Sequence, residues 1–191
     1  MSKTKKSGEH ATRLSHAGRD PGRFHGFVNT PIYRGSTVLY PTFDSLVADD
    51  QEFSYGRLGT PTVVALQETL AELDGGHATL LTPSGLTAIT TAILSFVSSG
   101  DHILVSDSVY RPTRRFCETV LKRLGVTTTY YDPVIGGGIA NLLTDRTKLV
   151  FTESPGSQTF EMQDIPAIAA AAHTAGVEVI MDNTWATPLY F

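Results

Sequence analysis

Apolar and polar residues are distributed differently on the two sides of residue 60. Before it, apolar side chains show little helical periodicity and are mixed with Gly, Pro, Ser and Thr, so we expect an extended arm over residues 1–60. After it, apolar residues spaced three and four apart predict an amphipathic helix that ends at Gly75; they are Val63, Leu66, Leu70 and Leu73.

From there to residue 191, short apolar runs alternate with helical patterns. The runs that favour strands are 78–81, 102–105, 126–131, 148–152 and 177–181, and the helical patterns are 85–97, 112–124 and 165–175. Strands that are apolar on both faces and separated by helices are typical of parallel sheets covered by helices. The sequence therefore predicts an α/β fold over residues 61–191, with a mostly parallel sheet flanked by helices.

The arm carries many apolar side chains for a segment without periodicity. They are Phe24, Phe27, Ile32, Tyr33, Val38, Leu39 and Tyr40. Such side chains are rarely left together in water, so we expect the arm to pack on another surface, with a second subunit as one candidate.

Composition and charge exclude several classes of protein. The 191 residues are 41% hydrophobic and 18% charged, enough for a buried core, and the net charge of −4 gives no field that attracts nucleic acid. The strongly apolar stretch 88–97 is far shorter than a bilayer crossing of about 20 residues. The lysines near the start are followed by no apolar run, and the single Cys117 suits a reducing compartment, so we expect a cytoplasmic protein.

The loops after the predicted strands are the first place to look for chemistry, because ligands of such sheets gather at the carboxyl ends of the strands. Ser84, Gly85 and Leu86 follow one predicted strand and begin a helix, and their backbone N–H groups would suit a phosphate. A plain capped turn is the alternative.

Two other loops offer an aromatic ring and an acid. Tyr110 follows the strand at 102–105 and could stack on a flat heterocycle, although a lone tyrosine is more often a packing residue. Asp182 follows the strand at 177–181, where burial would favour a cationic partner, with an N-cap as the alternative. The segment Glu153-Ser-Pro-Gly-Ser157 again combines an acid, a hydroxyl and a turn.

Outside the predicted sheet, Tyr55 and Arg57 could together bind a phosphate. No metal site is predicted, because the six histidines form no HExxH pair and have no cysteines at zinc spacing. The run Gly136-Gly-Gly138 lacks the GxGxxG spacing, so we expect a flexible turn there. A nicotinamide dehydrogenase is disfavoured because the first strand–helix turn lacks the glycine fingerprint.

Taken together, these motifs resemble one family. The sequence resembles the cysteine and methionine metabolism branch of fold-type-I pyridoxal-phosphate (PLP) enzymes, and within it the bacterial cystathionine β-lyases. The resemblance covers nearly the whole chain and rests on residues 16–21, 29–34, 55–57, 84–85, 110 and 182–188.

The resemblance implies roles for individual residues around PLP. Ser84, Gly85 and Leu86 would hold its phosphate. Tyr110 would stack on its ring and take part in catalysis, and Asp182 would pair with the protonated ring nitrogen. The remaining cofactor contacts implied by the resemblance are Ser157, which stands where many relatives have asparagine, and Thr184.

The arm is implied to serve a neighbouring subunit. Tyr55 and Arg57 would reach the neighbour's cofactor phosphate, with Tyr55 also catalytic, and the complete enzyme is expected to be a homotetramer. The implied domains are an arm over residues 1–60 that contacts a neighbouring subunit and a partial PLP-binding large domain over residues 61–191.

The lysines depart from the family pattern. Enzymes of this kind need a Schiff-base lysine, and none of the five lysines of this chain is suitably placed; they are Lys3, Lys5, Lys6, Lys122 and Lys148. In the family that lysine follows the segment that matches residues 182–188. We therefore expect the chain to be roughly the first half of an enzyme, without the C-terminal domain and inactive alone.

The activity implied for the complete enzyme is cleavage of cystathionine to homocysteine, pyruvate and ammonia, a transsulfuration reaction of methionine biosynthesis. Alternatives within the family are a cystathionine γ-synthase, a γ-lyase and a cysteine-S-conjugate β-lyase. An alternative of another class is a non-catalytic fragment that binds a phosphate ligand.

Overall fold

The computed structural model describes residues 10–191, so Lys3, Lys5 and Lys6 lie outside the described residues. The described residues divide into two compact units, a first unit that ends at Leu81 and a second over residues 82–191. In the first unit, residues 17–42 and 49–60 form turns, bends and irregular segments. The arm also contains two short helices that the sequence pattern did not indicate, α1 (His10–His16) and α2 (Phe43–Ala48). Helices of seven and six residues are too short to show a clear period.

The amphipathic helix predicted in the first unit is present as α3 (Pro61–Asp74). The Thr60 side chain accepts a hydrogen bond from the backbone N–H of Val63 at its start, and Gly75 ends it with a φ of 67°, a conformation that favours glycine. The strand predicted at 78–81 is wrong: this segment has no ladder partner, and the Thr79 carbonyl accepts a hydrogen bond from the Gln67 side chain.

The second unit is built on a four-stranded sheet. Its strands are β1 (His102–Ser106), β2 (Thr127–Tyr131), β3 (Thr147–Glu153) and β4 (Glu178–Asp182). They lie in the order β2-β1-β3-β4, and every neighbouring pair is parallel. The predicted α/β fold with a parallel sheet is therefore confirmed.

Three α-helices of the second unit follow the predicted pattern, with shifts at their ends, whereas the sequence pattern did not indicate the short helix Thr187–Tyr190. The helices of this unit are α4 (Gly85–Leu94), α5 (Arg111–Phe116), which continues into a π-helical segment (Cys117–Leu121), α6 (Ile165–Thr174) and α7 (Thr187–Tyr190). The glycine run at 136–138 begins a 3-10 helix (Gly136–Leu142). Within residues 10–191 no helix has the length and apolar character that a bilayer crossing requires.

Two apolar clusters cover the two faces of the sheet. One contains Ile103 and Val105 of β1 with Ile89 of α4, and the other contains Leu104 of β1 with Ile168 of α6. Successive residues of one strand thus enter opposite clusters, as the two-residue period of a strand requires. Cys117 belongs to the first cluster, where burial raises the pKa of its thiol to about 11, so it is a core residue.

The imidazole of His102 links three strands at the amino edge of the sheet. Its Nδ1 lies 2.8 Å from the Thr147 hydroxyl of β3, and its Nε2 lies 2.9 Å from the Thr129 hydroxyl of β2. Burial lowers the pKa of His102, and the nearby charge of Arg146 lowers it further. The folded chain therefore favours the neutral imidazole.

We predict that the free energy of unfolding decreases as the pH falls below the ordinary histidine pKa of 6.5, because the unfolded chain binds a proton that folded His102 resists. His102→Phe should remove this component of the pH dependence and cost about 1–3 kcal/mol at pH 8, since two threonine hydroxyls lose their imidazole partner. Urea unfolding followed by circular dichroism at several pH values measures both effects. The exposed His173→Gln serves as the control, and a slope that persists in His102→Phe would contradict the assignment.

Candidate functional site

The carboxyl ends of the parallel strands form one edge of the second unit. Ser106, Glu153 and Asp182 are the last residues of β1, β3 and β4, and Glu153 and Asp182 are direct register neighbours. Two carboxyl groups therefore follow adjacent strands. This is the edge at which ligands of parallel sheets bind.

Helix α4 packs on the sheet, with Ile89 and Ile93 in one apolar cluster with Ile103 and Val105 of β1. It contacts β4 and α5, ends at Leu94 and is followed by a short connection to His102 at the amino end of β1. A helix of ten residues is about 15 Å long, close to the length of the strands it covers. Because the chain continues from its last turn to the amino end of β1, we expect its first residues near the carboxyl ends of the strands.

The turn at Ser84 presents free backbone donors. The Ser84 hydroxyl accepts a hydrogen bond from the Thr87 N–H (3.1 Å) and lies 2.8 Å from the Thr87 hydroxyl, so it caps α4. The N–H groups of Gly85 and Leu86 have no acceptor among residues 10–191, and a Cβ placed on Gly85 would meet nothing within 4 Å. The turn is thus a helix cap whose two neighbouring N–H groups are open to a ligand.

Asp182 is oriented by its own loop. Its Oδ1 accepts hydrogen bonds from the backbone N–H of Thr184 (3.0 Å) and from the Thr184 hydroxyl (2.5 Å). No donor within the described residues reaches Oδ2. Asp182 is half-buried, so this second oxygen is available to a cationic ligand. Thr184 holds the carboxylate in this position.

Tyr110 lies where the loop after β1 enters α5. Its side chain is 45% exposed, so one part of the ring is open to a ligand. Its backbone N–H donates to Oε2 of Glu153 at 2.7 Å. The position of the ring is therefore coupled to the end of β3, a connection that the sequence did not indicate.

Glu153 is a site residue whose importance the sequence reasoning missed. It is only 5% exposed, and its Oε1 accepts a hydrogen bond from the Ser157 hydroxyl at 2.5 Å. Burial raises the pKa of Glu153, and the neighbouring charge of Asp182 adds to this, while the hydrogen bonds from Ser157 and Tyr110 oppose it. The acid, hydroxyl and turn of the segment 153–157 were visible in the sequence, but the partner at Tyr110 was not.

The loops after β1 and β3 are in close contact. A Cβ placed on Gly156 would lie 2.3 Å from Oγ and 2.6 Å from Cβ of Ser108, so only glycine permits this approach. A cavity of about 360 Å³ opens beside these loops, and its lining includes Ser157, Arg111 and Thr159. Of the residues predicted to contact a cofactor, only Ser157 lines this cavity.

Tyr55 and Arg57 belong to the first unit. Arg57 Nε donates to the Tyr55 hydroxyl at 3.0 Å. A Cβ on Gly56 would lie 1.9 Å from the carbonyl oxygen of Gly35, so the motif needs glycine between its two functional side chains. The two side chains are thus held together, as a shared phosphate contact would require, and their reach to a neighbouring subunit remains a prediction.

The apolar side chains of the arm fall into two groups. Phe24 is buried within the first unit, whereas Ile32 and Leu39 are 73% and 84% exposed. The exposed members are accessible to a second surface, and their contact with one stays a prediction. Lys122 and Lys148 are both exposed, and Lys148 lies near the amino end of β3, away from the edge that carries Glu153.

Comparison with known proteins gives one family. Residues 11–191 match the family model described as Cys/Met metabolism PLP-dependent enzyme. A Rhizobium johnstonii protein provisionally named cystathionine beta-lyase is 57% identical over 180 residues, which cover 94% of this chain and 46% of that protein. Cystathionine beta-lyase MetC of Escherichia coli is 42% identical over 190 residues, which cover 94% of this chain and 47% of MetC.

One solved structure and one relative that is named for a different activity are also similar to this chain. The crystal structure of metB from Corynebacterium glutamicum superimposes with a TM-score of 0.89 at 30% identity, covering 97% of this chain and 48% of that chain. A Wolbachia pipientis protein named L-alanine/L-glutamate racemase is 40% identical over 192 residues, which cover 93% of this chain and 47% of that protein. The chain thus spans about half the length of the curated relatives that it matches.

We predict that Gly156→Ala destabilises the second unit by about 1–3 kcal/mol, because the added methyl group overlaps Ser108. Combining it with Ser108→Gly should recover part of this loss. Gly137→Ala is the matched control, since a Cβ there would meet nothing within 4 Å. Chemical denaturation measures all of these variants, and equal stability of Gly156→Ala and Gly137→Ala would refute the close contact.

Proposed function

The chain belongs to the Cys/Met metabolism PLP-dependent enzyme family, with the expected fold-type-I architecture, and we propose that it forms the cofactor-binding part of a carbon–sulfur lyase acting on cystathionine. The observation that carries the proposal is the sheet edge of the second unit. There the Asp182 carboxylate and the loop that carries Tyr110 follow parallel strands, and we assign the free N–H groups of α4 to the same edge.

The donor set of this edge fits pyridoxal phosphate. The cofactor has an anion, a flat aromatic ring and a basic ring nitrogen. Gly85 and Leu86 offer backbone N–H donors with open space for the anion, Tyr110 offers a half-exposed ring, and Asp182 offers a carboxylate oxygen without a partner among residues 10–191. The phosphate, the ring face and the ring nitrogen of the cofactor thus each have a complementary partner.

The residues have distinct tasks in this proposal. When bound, PLP supplies an electron sink for the carbanion formed at Cα of an amino-acid substrate. Asp182 keeps the ring nitrogen protonated, and Thr184 keeps Asp182 oriented through its two hydrogen bonds. The first turn of α4 holds the phosphate through its N–H groups, and Tyr110 limits tilting of the ring.

The proposed reaction consumes cystathionine and water. A proton leaves Cα, the bond between Cβ and sulfur breaks, and the sulfur takes up a proton as homocysteine leaves. Water then releases the remaining three carbons as pyruvate and the nitrogen as ammonia. A lysine must move the Cα proton, and we assign that lysine to a part of the enzyme that follows the matched half of the family sequence.

The arm completes the proposal for the whole enzyme. We assign Tyr55 and Arg57 to the cofactor phosphate of a neighbouring subunit, and the exposed Ile32 and Leu39 to the contact between subunits. This is the role proposed for residues 1–60, with residues 61–191 as part of the large domain. A cytoplasmic homotetramer is the assembly that this arrangement suggests.

A second candidate reaction has support from one comparison. The relative named as an alanine and glutamate racemase is 40% identical, almost as similar as MetC at 42%. Racemisation and β-elimination both begin with loss of the Cα proton, so one cofactor edge serves either reaction. The products distinguish them in a protein of full family length that contains this chain: pyruvate from β-elimination, 2-oxobutyrate from γ-elimination, and D-alanine from racemisation.

Pyridoxamine 5′-phosphate provides a direct test of the cofactor site in the chain itself. It has the ring and phosphate of PLP but an amine in place of the aldehyde, so it does not react with the lysines. We expect the chain to bind it measurably by isothermal titration calorimetry and to bind pyridoxamine, which lacks the phosphate, at least tenfold more weakly. Equal affinity for both compounds would contradict a phosphate site.

Ser84 allows a matched pair of variants. Asn and Asp are both good helix caps, so Ser84→Asn and Ser84→Asp should both keep α4 intact. The negative charge in Ser84→Asp should weaken binding of pyridoxamine 5′-phosphate at least tenfold relative to Ser84→Asn, because like charges about 4 Å apart repel by about 1–4 kcal/mol. Equal binding by the two variants would place the phosphate elsewhere.

Asp182 gives a further prediction. Asp182→Ala should cost about 1.5–3 kcal/mol of pyridoxamine 5′-phosphate binding, the contribution of a hydrogen bond between charged groups. Asp182→Asn should cost less, since its amide oxygen still accepts from Thr184. Asp145→Ala is the control, because Asp145 is exposed and precedes β3 at the opposite edge. Wild-type affinity in Asp182→Ala would reject the assigned role.

A further inference from the structure

One carboxylate connects two of the loops that form the cofactor edge. Oε2 of Glu153 receives the backbone N–H of Tyr110 at 2.7 Å, and Oε1 receives the hydroxyl of Ser157 at 2.5 Å. Tyr110 lies 43 residues before Glu153 in the sequence, on the loop after β1. Ser157 lies four residues after it, on the loop after β3.

The backbone of Glu153 is held by hydrogen bonds of its own. The Glu153 carbonyl accepts a hydrogen bond from Gln163 Nε2 at 2.7 Å, and the same amide group donates to the Ser106 hydroxyl at 3.1 Å. Oε1 of Gln163 in turn accepts from the Tyr131 hydroxyl at 2.8 Å. The backbone at the end of β3 is therefore fixed independently of the contacts that the Glu153 carboxylate makes with the two loops.

Keeping this acid buried is unfavourable for folding. Burial raises the pKa of Glu153, so the folded chain binds its proton more tightly than the unfolded chain does. The resulting stability is present at low pH and is lost as the pH rises through the folded pKa. The register neighbour Asp182 adds repulsion. A buried charge that lowers stability at neutral pH is typical of functional sites.

We propose that Glu153 is a positioning residue that fixes the Tyr110 ring and the Ser157 hydroxyl relative to each other, so that both contact one bound cofactor. This inference rests on the proposed function for the identity of the cofactor. Glu153 itself touches neither the ring nor the phosphate in this role. Its two oxygens act on the cofactor through the backbone of Tyr110 and the side chain of Ser157.

The backbone contact explains how a carboxylate can control a ring. Tyr110 is the residue before α5, and its side chain makes no capping hydrogen bond with that helix. Its N–H lies outside the hydrogen bonds of α5 and is held by Glu153 instead. Without Glu153, the backbone at Tyr110 would lose a charge-assisted hydrogen bond, and the ring would be held less firmly.

Three variants separate positioning from general stability. Glu153→Ala removes both acceptors, whereas the amide oxygen of Glu153→Gln can still accept from Tyr110 and its NH₂ group can donate to Ser157. Tyr131→Phe is the control, because it removes a buried hydroxyl from the same network and leaves both contacts of Glu153 in place. Each variant is compared with the wild-type chain by thermal melting, to record its general effect on stability.

The first measurement needs no ligand. Amide hydrogen exchange by NMR reports the Tyr110 N–H directly. We expect its protection to fall at least tenfold in Glu153→Ala, and to stay within threefold of wild type in Glu153→Gln and Tyr131→Phe. Unchanged protection in Glu153→Ala would overturn the proposal, whether or not the chain binds a cofactor.

The second measurement uses pyridoxamine 5′-phosphate as the probe, with its affinity and the circular dichroism induced in its ring absorption band. Glu153→Ala should bind at least tenfold more weakly and lose most of the induced signal, Glu153→Gln should restore both, and Tyr131→Phe should keep both despite a lower melting temperature. Equal losses in Glu153→Ala and Tyr131→Phe would reduce Glu153 to a general structural role and overturn the proposal. If the wild-type chain fails to bind the probe, the proposed function fails, and the exchange data still decide whether Glu153 holds Tyr110.

Discussion

The common direction of the four strands is the constraint on which the rest of the second unit depends. Because all neighbouring pairs are parallel, the residues that follow β1, β3 and β4 meet at one edge although they are far apart in the sequence. Helix α4 is expected to start near this edge, because the chain leads from its last turn to the amino end of β1. An antiparallel neighbour would have moved one of these groups to the opposite edge.

The carboxyl edge of the sheet carries two neighbouring carboxyl groups. Glu153 and Asp182 are register neighbours, and each is satisfied differently: Asp182 by its own loop through Thr184, and Glu153 by Tyr110 and Ser157. The close contact between Gly156 and Ser108 brings the two loops near enough for this arrangement. The small size of Gly156 and Ser108 thus permits Glu153 to contact both loops.

The accuracy of the sequence predictions differs between kinds of feature. Strands β1 to β4 and helices α3, α4 and α6 were predictable because periodicity and glycine positions are local properties. The strand expected at 78–81 was wrong, because a short apolar run forms a strand only where another strand offers free hydrogen-bonding groups. Helices α1 and α2 were missed because so few residues show no period. Ser84 and Asp182 were identifiable as groups after predicted strands. The family resemblance implied that both contact the same cofactor.

The sequence by itself determined the fold class, the family and the chemical types available after each strand, because these depend on local pattern and on the order of motifs along the chain. Only the tertiary structure decided which of these groups touch. The hydrogen bond from Tyr110 to Glu153 joins residues 43 positions apart, and the short approach of Gly156 to Ser108 depends on backbone atoms. Such contacts arise from strand order and loop packing, and they have no counterpart in hydrophobic periodicity.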